Sequence, residues 1–272
     1  VIEALRAAFD RSSAQGRAAL IGYLPAGFPT AEGAVRLIEA MVDSGVDIIE
    51  VGLPYSDPLM DGPVIQQAVD QALRAGTTTD DVLRAVASVT DAGATALVMS
   101  YWNPIERYGV ERFAAALGDA GGVGIITPDL TPEEAGPWIE ASEANGLGRV
   151  FLIAPSSSDA RIGLICDACS GFVYAASTMG VTGVRSSVGS NAAELVGRAR
   201  ARTSLPVAVG IGVSDGRQAA EVARYADGVI VGSAFVRAIL QADDLTGAVT
   251  AVSQLARDLA AGVRGEIEGR VR

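Results

Sequence analysis

Short apolar runs alternate with longer stretches that are apolar on one face only, along nearly the whole chain. Residues 2–12 put Ile2, Leu5 and Phe9 on one side, which predicts a helix. Residues 19–24 are a first strand-like run, closed by Pro25, Ala26 and Gly27. A helix is expected over 31–44, carrying Val35, Leu37, Ile38 and Met41, with Gly45 after it. Ile48, Ile49 and Val51 then form a β-branched run that holds one carboxylate, Glu50. The same order recurs. Gly93 leads to an apolar run at 96–100, Gly121 and Gly122 to 125–127, Gly146 to 150–153, Gly171 to 172–176 and Gly228 to 229–231, while Pro206 opens 207–209. Glycine just past a helix is the expected left-handed cap. Thr131, Pro132 and Glu134 predict a capped helix start, Ser214 another, and 245–263 a final helix with Val252, Leu255, Leu259 and Val263 on one stripe.

Eight strands alternating with helices over this length predict an α/β fold, a (β/α)8 TIM barrel, as a single domain spanning 1–272. The helix at about 2–12 opens it and the one at about 245–263 closes it. An open doubly wound sheet is the competing architecture, but the first strand lacks a GxGxxG turn and no linker divides the chain. Chemistry in such barrels sits at the carboxyl ends of the strands.

Composition narrows the chemistry. The net charge is −11, which argues against nucleic acid and anionic membrane as partners. No apolar run reaches the roughly 18 residues of a membrane span, so a cytoplasmic protein is expected. There is no histidine, which excludes Ser-His-Asp and Cys-His catalysis and any imidazole-based metal site. No metal is expected. Cys166 and Cys169 form an isolated C-x-x-C pair, read as ordinary thiols on a helix.

The stretch after the second strand draws attention. Glu50 sits one residue before the strand end, and Asp57 and Asp61 follow on a loop stiffened by Pro54, Pro58 and Pro63. A carboxylate inside an apolar strand costs several kcal/mol unless paired, hydrogen-bonded or protonated, so Glu50 is the candidate acid/base residue. Asp61 serves either as a loop cap or as a substrate contact; Asp57 reads as structural or as an interface residue. Gly210, Gly212, Gly232 and Ser233 end the last two strands, where backbone N–H groups and a helix N-terminus suit a phosphate, although glycines there also simply turn the chain. Residues 177–191 are rich in glycine and serine and read either as a lid or as a merely disordered loop. Tyr23 and Tyr174 are candidates either for the pocket wall or for the core.

These residues resemble the alpha chain of tryptophan synthase. Glu50, Val51, Gly52 and Leu53, followed by Pro54-Tyr-Ser-Asp-Pro-Leu-Met-Asp-Gly-Pro63, are similar to that family's signature around its acid/base glutamate. Gly180-Val-Thr-Gly183 is similar to its lid segment, and Gly210-Ile-Gly212 and Gly232-Ser233 to its phosphate-binding ends. The resemblance implies retro-aldol cleavage of indole-3-glycerol phosphate to indole and glyceraldehyde 3-phosphate. It implies Glu50 as the acid/base residue and Asp61 at the indole N–H. Tyr23, Tyr174, Thr182, Gly183, Ile211, Gly212, Gly232 and Ser233 would hold the substrate. It implies no cofactor in this chain, and a pyridoxal-phosphate beta chain as partner in an alpha2beta2 assembly, met by Asp57, Pro58 and Asn103. Tyr23 and Ile211 stand where some members carry phenylalanine, and Thr178 where some carry arginine. Another phosphate-sugar barrel enzyme, such as an isomerase, and a non-catalytic activating subunit are the alternatives.

Overall fold

A computed structural model describes residues 2–177, 188–210 and 212–267. Among these, nine parallel strands form one sheet: β1 Ala19–Pro25, β2 Ile48–Gly52, β3 Thr95–Met99, β4 Gly124–Ile126, β5 Gly148–Val150, β6 Leu152–Ile153, β7 Val173–Ala176, β8 Val207–Gly210 and β9 Gly228–Val231. Their order is β5-β4-β3-β2-β1-β9-β8-β7-β6. The two edges of that order are consecutive in the chain. β5 pairs with β4 and β6 pairs with β7, so the segment from Gly148 to Ile153 belongs to both sides and brings the sheet round into a barrel. The fifth of the eight expected strands is therefore present but interrupted at Phe151. There the backbone N–H donates to the Cys169 sulfur (3.4 Å) while the carbonyl accepts from Tyr174 N (3.2 Å). Cys166 and Cys169 are both buried and unbridged, and burial pushes the Cys169 thiol up to about 12.

Alternation along the strands makes two apolar layers. Ile21, Ile48, Leu97, Ile126, Val150, Ala208 and Ile230 fill the barrel interior. Their neighbours Leu20, Ile49, Val98, Ile125, Phe151, Val207 and Val229 pack outward with helix residues such as Leu37, Ile38 and Phe113. The first helix, Ile2–Ala14, joins the inner layer instead of the outer one. Leu5 and Phe9 close the bottom of the barrel, Phe9 lying 5.4 Å from the Phe172 ring. A Cβ on Gly171 would come within 2.8 Å of Leu5, so the plug needs that glycine. Full burial of one such side chain stabilises by about 1.5–3 kcal/mol.

Arg17 sets the bottom edge of β1 against β2. Its guanidinium is paired with Asp47 (2.6 and 2.8 Å), and the same carboxylate accepts Leu20 N–H (2.8 Å). That register puts Tyr23 beside Glu50 one layer above Ile21 and Ile48. The final helix runs Leu245–Val263 as expected, capped by Asp244. The helix expected at Ser214 starts at Gly216 with Asp215 as its cap. The box expected at Thr131 closes a turn. The Thr131 hydroxyl donates to the Glu134 carboxylate (3.1 Å) instead of accepting a backbone N–H, and the helix proper is Gly136–Ala144. No helix among the described residues is long and apolar enough to cross a membrane.

Candidate active site

β2 is buried at every position, and its alternation turns Ile48 and Glu50 inward. Glu50 is opposite Tyr23 on one side and Leu97 on the other. It is 1% exposed, and among the described residues its Oε1 has no hydrogen-bond partner. With nothing to compensate lost hydration, burial raises its pKa from 4.5 to about 8. At neutral pH the side chain is mostly protonated yet able to ionise, the condition for a group that both gives and takes a proton.

Asp61 is on the loop between β2 and the helix Pro63–Arg74 and is half-buried. Burial raises its pKa too, opposed by a hydrogen bond from the Tyr101 side chain. Burial thus raises both acids, and the large displacement is that of Glu50. The Tyr101 hydroxyl also accepts Met60 N–H (2.9 Å), which fixes the tip of the loop.

A cavity of about 250 Å³ opens at the carboxyl ends of the strands. Glu50, Asp61, Tyr23, Tyr174, Gly212, Gly232 and Ser233 all line it, so the structure gathers these seven expected residues around one space. Ser233 begins the helix Ser233–Leu240, whose cap residue Gly232 supplies no side chain, leaving first-turn N–H groups for an anion. Gly212 has φ +77, and none of the described residues stands within 4 Å of where its Cβ would be. Gly210 lines the cavity too, and it also seats a tyrosine: a Cβ there would fall 2.3 Å from the Tyr174 hydroxyl. Gly52 does the same for Tyr23, whose hydroxyl would be 2.5 Å from a Cβ. Burial raises the pKa of both tyrosines, and the charges of Glu50 and Asp61 add to it. Thr182, Gly183 and Ile211, and most of the 177–191 lid, lie outside the described residues.

The apolar lining of the cavity, Met60, Ile65, Met99 and Ile230, was not singled out from the sequence, and neither was Tyr101. Met99 and Ile230 share the inward phase of Glu50, so strand alternation was the signal that would have found them.

Asp57, Pro58 and Asn103 are not in this cavity. Asp57 and Asn103 line a neighbouring cleft of about 570 Å³, and Asp57 and Pro58 a groove of about 510 Å³. Between cavity and grooves stand Leu59, 83% exposed, and Met60, 57% exposed. Asn103 rides on the helix Trp102–Tyr108, whose first N–H is held by Asp129 at the end of β4 (2.9 and 3.2 Å). A larger cavity of about 800 Å³ opens at the opposite end of the barrel, beside Phe9, Arg17 and Asp227. Arg17 and Arg200 there are paired with Asp47 and Asp227, and the cavity lies away from Glu50.

The sequence model of the family described as "Tryptophan synthase alpha chain" matches residues 9–264. A tryptophan synthase alpha chain from Thermobifida fusca is 60% identical over 263 residues, 96% of this chain and 97% of that one. One from Acidothermus cellulolyticus is 60% identical over 96% of each. Among solved structures, tryptophan synthase from Mycobacterium tuberculosis superposes with a TM-score of 0.88 at 53% identity, covering 96% of this chain and 98% of that chain. The alpha subunit from Legionella pneumophila str. Paris gives 0.87 at 32% identity, covering 96% and 98%. The chain belongs to the tryptophan synthase alpha chain family.

Proposed function

We propose that Glu50 moves the protons in the cleavage of indole-3-glycerol phosphate to indole and glyceraldehyde 3-phosphate, the lyase reaction of this family in tryptophan biosynthesis. A proton goes to indole C3, and positive charge develops on the ring and its nitrogen. The neighbouring glycerol hydroxyl loses a proton as the carbon–carbon bond breaks. The bonding pair returns to the ring, releasing indole, and the hydroxyl carbon leaves as the aldehyde. Glu50, buried and mostly neutral, supplies the first proton and its carboxylate accepts the second. Asp61 holds the indole N–H and balances the charge there. Gly212, Gly232 and Ser233 hold the phosphate at the far wall, and Ile211, Thr182 and Gly183 are assigned to the substrate as well. Tyr23 and Tyr174 flank the ring. The observation that carries this reading is the buried Glu50 carboxyl, its Oε1 unpartnered among the described residues, facing the same cavity as Asp61 and the helix N-terminus at Ser233.

The chain contains neither lysine nor histidine, so neither a Schiff base on a lysine nor an imidazole relay offers another route. A subunit kept only to activate a partner gains nothing from a buried, unsatisfied carboxyl that costs several kcal/mol.

The family implies a beta chain partner. We assign to it the pyridoxal phosphate, an alpha2beta2 arrangement, and a docking face on this chain at Asp57, Pro58 and Asn103. A cytoplasmic location is part of the same proposal.

The test is indole release from indole-3-glycerol phosphate. Glu50→Gln and Asp61→Asn each bind the substrate but lower turnover by roughly 10²–10⁴. Near wild-type turnover in Glu50→Gln removes Glu50 from the mechanism.

A further inference from the structure

We propose that Tyr101 is a positioning residue for this reaction: its hydroxyl ties down the loop that carries Asp61 and so aims that carboxylate into the cavity. The inference rests on the role given above to Asp61. Tyr101 follows β3 and is 5% exposed. Its oxygen accepts Met60 N–H (2.9 Å), one residue before Asp61, and the hydroxyl's proximity favours the ionised Asp61 carboxylate against the rise caused by burial. The ring itself is held, packed 5.4 Å from Tyr55 at the base of the same loop. The next residue along, Trp102, is fixed by Asp129, so the tyrosine is attached to a rigid strand end while the loop it holds has an exposed tip at Leu59. A loop residue that must place a carboxylate beside a ring nitrogen needs such an anchor, because displacement by about 1 Å costs up to 10²-fold in rate.

Tyr101→Phe keeps the ring and removes only the oxygen. The full chain, Tyr101→Phe and Asp61→Asn are compared for indole release across pH, with thermal unfolding as a fold control. In Tyr101→Phe, kcat falls about 10- to 100-fold while KM shifts less than threefold. Its acidic limb moves to higher pH, because Asp61 has lost the donor that favours its ionised form. Unchanged kcat and pH profile in Tyr101→Phe, with Asp61→Asn inactive, overturns the inference and leaves Asp61 in place. A lower kcat with no movement of the acidic limb reduces Tyr101 to packing and also overturns it. Full activity in Asp61→Asn defeats the underlying assignment instead.

Discussion

At the scale of single residues, the chemistry follows from one uncompensated desolvation. Glu50 is opposed by Tyr23 and Leu97, and its Oε1 is unpartnered among the described residues, so its neutral form is favoured in the folded chain. The consequence for stability has a definite sign. The unfolded glutamate ionises near 4.5 and the folded one near 8, so its contribution is most favourable below 4.5 and is lost as pH rises through 8. Glu50→Gln has no such dependence. The melting temperature of wild type therefore falls relative to Glu50→Gln between about pH 5 and pH 9, by the equivalent of a few kcal/mol at the alkaline end. Parallel melting curves at all pH values would show that the carboxyl has a partner or hydration. Glu50 was legible in the sequence because a lone acid in a β-branched run is costly to bury and is kept there for chemistry more often than for packing. Tyr101 was not, because its value lies in a contact 41 positions away with Met60.

At the scale of elements, the strand ends are shaped by pairs of a tyrosine and a glycine on neighbouring strands. Tyr23 on β1 lies over Gly52 on β2, and Tyr174 on β7 over Gly210 on β8. A methyl group at position 52 meets the Tyr23 ring carbons at 2.7 Å and its hydroxyl at 2.5 Å, so the ring must move. Gly52→Ala is expected to destabilise by about 1–3 kcal/mol, the usual cost of overpacking, and to lower kcat/KM as Tyr23 shifts beside Glu50. In a Tyr23→Leu background most of that cost disappears, which a double-mutant cycle on thermal unfolding detects as coupling. Additive effects would mean that the two residues do not share this space. The helix–strand rhythm was readable because glycine caps mark each return to the sheet. The break at Phe151 was not, since it depends on the Cys169 sulfur taking a backbone N–H from the ladder. Nor did the pattern of Leu5 and Phe9 say that their helix would plug the barrel; amphipathicity shows that a face is buried, not against what.

At the scale of the whole molecule, the barrel separates three tasks. The bottom is sealed by Leu5 and Phe9, the strand ends carry the cavity, and the rim beside it presents Leu59, Met60, Asp57, Pro58 and Asn103. An 83% exposed leucine at that rim suits contact with another chain. Leu59→Asp is expected to weaken binding to a tryptophan synthase beta chain by at least about tenfold, as loss of an apolar anchor does, which titration calorimetry measures; the unfolding temperature of the isolated chain stays unchanged in a thermal scan. An unaltered affinity would move the docking face elsewhere. The most direct test of the central claim is a structure with a non-cleavable indole-glycerol phosphate analogue bound. The phosphate is expected on the backbone N–H groups of Gly212, Gly232 and Ser233, the indole nitrogen at Asp61 and the Glu50 carboxyl within hydrogen-bonding reach of the glycerol hydroxyl. A phosphate seated anywhere else, or a Glu50 carboxyl out of reach of the ligand, would contradict it.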